Sequence, residues 1–181
     1  MFTLRTAAAA AASTLALLGA GAAAAPGASA APNQYTMDNV QLTLYGGQDG
    51  DNITSDNDNP RGIAWPKSNA HPSSIHTLAG GNGTWENPTT LAVANPRKGG
   101  PFQPGTRFYI PAVHRYFIAE DTCAECLHDL HRSTPVQHVD MWAGKNATQR
   151  SMNAYPANGR HKIIVNPSKG MQVTSGPLLT H

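Results

Sequence analysis

The sequence predicts an all-β domain, a small barrel or sandwich of short strands, and three observations point there. Charged residues make up only 13% of the chain, while glycine (17 residues) and proline (14) are plentiful. This composition favours turn-rich β structure over a helical bundle. Apolar and polar residues alternate in short runs bounded by turn signals. Helix signals are weak, and there are neither heptads nor internal repeats.

The elements follow in chain order. Ala31 to Met37 reads as a short tail. Asn39 to Tyr45 alternates, with Val40, Leu42 and Leu44 on one side and Gln41, Thr43 and Tyr45 on the other. A strand puts such residues on opposite faces. Gly46 to Pro60 is a polar loop, and its stretch Asp49 to Asp58 is rich in Asp and Asn. It resembles a calcium loop in composition only, because the spacing and closing glutamate of an EF-hand are missing. Ile63-Ala64-Trp65 is a short apolar piece, and Gly80-Gly81-Asn82-Gly83 a sharp turn. Strands are expected at Thr89 to Ala94, Thr106 to Pro111, Arg115 to Ala119, His138 to Trp142, Lys162 to Val165 and Gly170 to Val173. One or two helical turns are expected within Thr122 to Leu130, and one within Thr148 to Ala154.

The first residues read as a bacterial-type secretory leader. Arg5 precedes an Ala- and Leu-rich stretch, Pro26-Gly27 breaks it, and Ala28-Ser29-Ala30 has the small-x-small form that signal peptidase cuts. The leucine-rich centre is too short for a membrane anchor, which needs about 20 apolar residues. Cleavage after Ala30 leaves Ala31 to His181, 151 residues. That suits one domain, with a core over about residues 40–175. The expectation is a secreted protein with no membrane attachment. Without Arg5 the net charge is about +1. No basic stripe suggests a nucleic-acid partner.

Asp140 is the most informative residue for chemistry. It interrupts the apolar alternation Val139-Asp140-Met141 and shares a strand face with His138 and Trp142. With Val139 and Met141 in the core, these three point outward together. A carboxylate beside an indole and an imidazole suits a sugar-binding cleft with an acid catalyst. The plainer alternative is a strand residue that caps a turn or pairs with an arginine. Glycoside cleavage commonly uses two carboxylates. Asp121 is the first choice for the second, with Asp49 in reserve; an N-cap before Thr122 is the structural alternative. Trp85, beside a glycine turn, is the most plausible exposed aromatic platform. Cys123 and Cys126 are the only cysteines. In an exported chain they form a disulfide; the sharper alternative makes them zinc ligands with His128 and His131. No Ser-His-Asp set, Gly-x-Ser-x-Gly motif or phosphate-binding glycine loop stands out.

Several of these segments resemble a known group. Pro104-Gly105-Thr106-Arg107-Phe108-Tyr109-Ile110-Pro111, Ala119-Glu120-Asp121-Thr122 and Val139-Asp140-Met141-Trp142 are similar to the 3D domain of cell-wall lytic enzymes, a double-psi β-barrel. His138-Val139-Asp140-Met141 also resembles the His-Phe-Asp motif of expansins and family 45 glycoside hydrolases, and Thr43-Leu44-Tyr45-Gly46 their opening strand. The resemblance spans roughly Leu42 to Gly144. It implies a six-stranded double-psi barrel with long loops and little helix. It makes Asp140 the catalytic acid or the wall-binding aspartate, and Thr43 and Tyr45 groove residues. The chain departs from the pattern in two places. Asn95 stands where the first of the three 3D aspartates belongs, and Gly47 where family 45 enzymes carry their base.

The expected function is binding and cleavage of a β-linked cell-wall polysaccharide, peptidoglycan or a glucan, by a monomer without a cofactor or metal. Asp140 and Asp121 are the expected catalytic pair, with Thr43, Tyr45, Asp49, Trp85, His138 and Trp142 contacting substrate. A non-catalytic, expansin-like wall-loosening or carbohydrate-binding protein is the alternative. A protease inhibitor or effector on the same barrel would show a groove without aromatic lining.

Overall fold

The computed structural model describes residues 33–47 and 61–179. The expected leader and the Asp49 loop lie outside the described residues. The chain forms a closed barrel of six strands. They are β1 (Tyr35–Tyr45), β2 (Thr89–Val93), β3 (Arg107–Ile110), β4 (Arg115–Thr122), β5 (His138–Trp142) and β6 (Gly159–Val165). Two short helices, α1 (Ala124–Leu130) and α2 (Gln149–Asn153), accompany them. Around the barrel the order is β1-β5-β2-β4-β3-β6. β1 with β5 and β2 with β4 run parallel; the other neighbours are antiparallel. The all-β, six-stranded expectation holds.

The period-two pattern decides what faces inward. Val40, Leu42, Leu44, Leu91, Val93, Phe108, Ile110, Phe117, Ala119, Val139, Met141, Ile163 and Val165 fill the barrel. A closed sheet of this size encloses only enough space for its own side chains. A second apolar layer lies outside, where Tyr45, Ala92, Ala94, Cys123, Cys126 and Trp142 pack with Leu127 and Leu130 of α1.

Two acids at the end of β4 hold the long 61–79 segment onto the barrel. β4 carries one extra residue opposite Leu91 and Ala92, since Leu91 pairs with Ala119 but Ala92 with Asp121. The unmatched residue, Glu120, is fully buried. Its carboxylate accepts from the backbone N–H groups of Ile75 (2.6 Å) and His76 (2.9 Å), and its other oxygen lies 2.6 Å from His76 Nδ1. Trp65 N–H donates to the Glu120 carbonyl. A buried carboxylate left unpaired would be costly; this one is paired on both oxygens.

The expected strand at Gly170 to Val173 does not form. Side chains take up its backbone groups instead of a ladder. Met171 N–H donates to the Tyr116 hydroxyl, and the Tyr109 hydroxyl donates to the Gln172 carbonyl. Arg115 holds the following residues through the carbonyls of Gly176 and Pro177. β1 starts four residues earlier than expected, at Tyr35. Its first residues are mostly exposed and show no alternation, and a register shift lies between Met37 and Val40.

Phe117 has no exposed surface and belongs to the barrel cluster. Phe117→Ala is expected to cost about 3–5 kcal/mol, read as a lower urea midpoint. Ile75→Ala, at an exposed side chain, is expected to stay within about 0.5 kcal/mol.

Candidate functional site

The outer barrel face carries a row of chemistry across four neighbouring strands. Thr43 on β1 pairs with Asp140 on β5, Asp140 with Ala92 on β2, and Ala92 with Asp121 on β4. Paired residues put their side chains on one face of a sheet. Strands lie about 4.8 Å apart, so the two aspartates stand roughly 10 Å apart at their backbones, with the Ala92 methyl between.

An open groove of ≈ 670 Å³ lies along this face, bounded by the start of α1 and by α2. Thr43, Tyr45 and Asp140 line it, with Lys98 and Glu125 as further charged groups. Four carboxamides, Asn95, Gln149, Asn153 and Asn158, complete its polar wall. The Thr43 hydroxyl donates to Asp140 Oδ1 at 2.9 Å and lies 2.7 Å from His138 Nε2. His138 Nδ1 in turn faces Asp129 Oδ2 of α1 at 2.9 Å. Burial pushes the Asp129 carboxyl upward, but its hydrogen bonds to His138 and Arg132 outweigh this and hold it below the usual range.

Of the outward trio on β5, only Asp140 reaches the groove. His138 is buried under α1 and Trp142 packs edge-on against Tyr45, ring centroids 5.3 Å apart. Neither is among the groove-lining residues. Trp85 sits elsewhere, against Tyr116 at 5.2 Å, with the Arg107 guanidinium 4.6 Å from the centre of its ring. Tyr45 is thus the aromatic contribution to the groove among the described residues.

Asp121 is buried and does not line the groove. Its Oδ1 accepts from the N–H groups of Ala64 (3.0 Å) and Thr122 (2.8 Å). Burial pushes its pKa up to about 6, against the pull of those two amides. Asp121 Oδ2 and the Tyr45 hydroxyl are both buried short of a well-formed hydrogen bond, yet near enough to influence each other. Burial, followed by the charges of Asp121 and Asp140, drives the Tyr45 phenol well above its ordinary value. The phenol therefore keeps its proton. Glu125, exposed at the start of α1, is the second carboxylate on the groove wall among the described residues.

Cys123 and Cys126 form the expected disulfide. Cys123 touches the groove and Cys126 is fully buried. His128 and His131 do not join them. The imidazole beside the two sulfurs is that of His138, with ligand atoms of all three within 4.8 Å. Gly47 has no room for a base. A Cβ there would collide with the Lys145 carbonyl.

The class of protein is therefore a closed, mixed six-stranded barrel with an open polar groove on its outer face. Residues 37–181 match the family model described as the DDB_G0273701 N-terminal domain, and the chain belongs to that family. It is similar to the uncharacterized protein DDB_G0273701/DDB_G0273221 of Dictyostelium discoideum, 34% identical over 105 residues. The match covers 58% of this chain and 38% of that relative. No solved structure matches the chain.

The raised Asp121 pKa has a consequence for stability. An acid whose folded value exceeds its ordinary 3.8 favours the fold while protonated. That contribution is complete below about pH 4 and is lost as pH rises through about 6. Asp121→Asn keeps the Oδ1 acceptor and removes the buried charge. It is expected to stabilise the protein by up to roughly 3 kcal/mol above pH 7, and by nothing measurable below pH 4. Tm measured across pH checks this.

Proposed function

We propose that this chain binds an extended, β-linked cell-wall polysaccharide along the groove and cleaves it with Asp140 as the acid. The observation that carries this reading is the placement of Asp140. Its carboxylate lines a concave, polar surface, hydrogen-bonded to Thr43, instead of being enclosed in the barrel wall. The groove is open to solvent, and its carboxamides and hydroxyls match the hydrogen-bonding needs of sugar rings. The likeness of these segments to 3D domains and expansins supports the same assignment, as does a barrel that contains two parallel pairs.

In this reading Asp140 gives its proton to the glycosidic oxygen as the bond breaks. Thr43 fixes the orientation of the carboxyl. Tyr45, its hydroxyl buried and kept protonated by its surroundings, offers the groove the face of its ring and no proton. Asp121 acts from behind, holding Tyr45 and the Ala64 segment. With trypsin-like or esterase-like triads absent from the groove among the described residues, a single in-groove acid is the simplest engine. The leader and the disulfide fit work outside the cytoplasm, by a monomer that needs no cofactor.

One observation favours a second reading, binding without turnover. The position of the family 45 base is Gly47, and sterics close it to any side chain. Asp140 then grips the polymer as the wall-binding aspartate of an expansin-like protein.

Release of soluble fragments from purified peptidoglycan and from β-glucans separates the two. Wild type is expected to release fragments, and Asp140→Asn to lower the rate by about 10²–10⁴-fold while still pulling down with the polymer. Polymer pull-down with no release from wild type moves the assignment to the binding protein. Neither pull-down nor release from any polymer removes both.

A further inference from the structure

Four side chains from three elements make one unbroken polar chain: Asp129 on α1, His138 on β5, Thr43 on β1 and Asp140 on β5. The successive contacts are 2.9, 2.7 and 2.9 Å. Counting hydrogens along it is decisive. Asp129 is held as a carboxylate, which only accepts, so His138 Nδ1 carries a proton. Thr43 has one hydroxyl proton and two neighbours at hydrogen-bonding distance. With Nε2 bare and Asp140 a carboxylate, both neighbours only accept. One proton would then serve two acceptors, and one short contact would press lone pair against lone pair.

A single added proton removes the conflict in either of two ways. Placed on Nε2, it lets His138 donate to Thr43, and Thr43 to Asp140 Oδ1. Placed on Asp140, it lets the carboxyl donate to Thr43, and Thr43 to Nε2. The two arrangements carry the same charge and differ by two short proton shifts.

We infer that His138 and Asp140 share one stored proton through the Thr43 hydroxyl, making His138 a positioning residue that keeps the groove acid loaded. The inference rests on the acid role proposed for Asp140. During cleavage the Asp140 carboxyl proton goes to the leaving glycosidic oxygen, which also takes the electron pair of the broken C–O bond. Asp140 is left as a carboxylate, and Thr43 again stands between two acceptors. That discharged state is the strained one. It is relieved when Asp140 takes a proton from the attacking hydroxyl, of water or of the sugar, as the new C–O bond forms. One carboxylate thereby serves as acid and then as base.

The chain is insulated from bulk water at its inner end. His138 is only 4% exposed and α1 covers it. The groups facing it are Asp129, the disulfide, which does not titrate, and Thr43 with Asp140 beyond. Arg132 (3.3 Å) and His128 (3.7 Å) stand on the far side of Asp129. Beyond Asp140, its charge and that of Asp121 both act on the buried Tyr45 phenol of β1.

The test uses the full chain without any ligand, labelled with ¹⁵N-histidine and ¹³C-aspartate and followed by NMR against pH. The His138 ring nitrogens and the Asp140 carboxyl carbon are expected to respond at one common pH. Asp140→Asn is expected to leave a neutral ring protonated at Nδ1 alone, because its carboxamide donates to Thr43 without a stored proton. That change is expected to weaken proton binding at Nε2 at least about tenfold. In the isosteric Thr43→Val background, the same Asp140→Asn change is expected to have a smaller effect on the ring than in wild type, because only the through-space charge of Asp140 is then lost. A His138 response indifferent to Asp140→Asn in the wild-type background overturns the relay, whatever the polymer assays show. The coupled response, in a protein that cuts no polymer, upholds the relay and removes the cleavage reading instead. Where polymer is cut, Thr43→Val is expected to lower kcat about 10–10²-fold with KM within twofold, and to shift the pH profile.

Discussion

The pairing of Thr43 with Asp140 across the parallel β1–β5 ladder is the constraint from which the rest of the site follows. A slip of one residue would turn every side chain of β5 to its opposite face. Val139 and Met141 would leave the barrel, and Asp140 would enter it as a buried charge. The apolar pair therefore fixes the register, and the register presents Asp140 to the groove. The same ladder sets Gln41 opposite His138 and Tyr45 opposite Trp142. His138 consequently lies within reach of the Thr43 hydroxyl from one side of Asp140, while the Tyr45–Trp142 contact closes the other.

α1 and the end of β4 complete the arrangement by covering what must not be wet. α1 is short, but the disulfide pins its start, and its buried face carries Cys126 and Asp129 over β5. Asp129 thus reaches His138 from outside the barrel. On β4, the bulge at Glu120 separates two acids that are adjacent in sequence. Glu120 turns to the 75–76 backbone and Asp121 to Ala64 and Tyr45. Both ionisable groups are spent on holding loops, which explains why neither stands on the groove wall. Asp140 keeps that position on a strand braced on both sides.

Much of this architecture was legible in the sequence because period-two alternation survives in β5, in the centre of β1 and in β3 and β4. His138 to Trp142 was readable to the residue, since polar and apolar side chains alternate without interruption. Asp140 was readable for the same reason: a carboxylate in an apolar ladder invites a functional question. The extended start of β1 was not, because its residues are polar and exposed, and nothing in their order tells strand from tail. Gly170 to Val173 alternates well enough to suggest a strand, but tyrosine hydroxyls satisfy its backbone, a tertiary effect with no local sign. Trp85 and Trp142 illustrate the limit of reading aromatics. Whether an indole is a platform or packing depends on neighbours distant in sequence, here Arg107 with Tyr116 and Tyr45. Asp129 carried one weak signal, an acid among the apolar residues of α1's inner face. The carboxamides at 95, 149, 153 and 158 carried none, being converged by the fold alone.

The central claim is that the groove bearing Asp140 is a surface for an extended glycan. Chemical-shift mapping of the whole chain during titration with soluble peptidoglycan fragments or β-gluco-oligosaccharides tests it most directly. The account predicts saturable changes at Thr43, Tyr45, Asn95, Asp140 and Asn158, with the β3–β6 side of the barrel unchanged. Changes confined to the Trp85–Tyr116 face, or none up to saturating oligosaccharide, would contradict it.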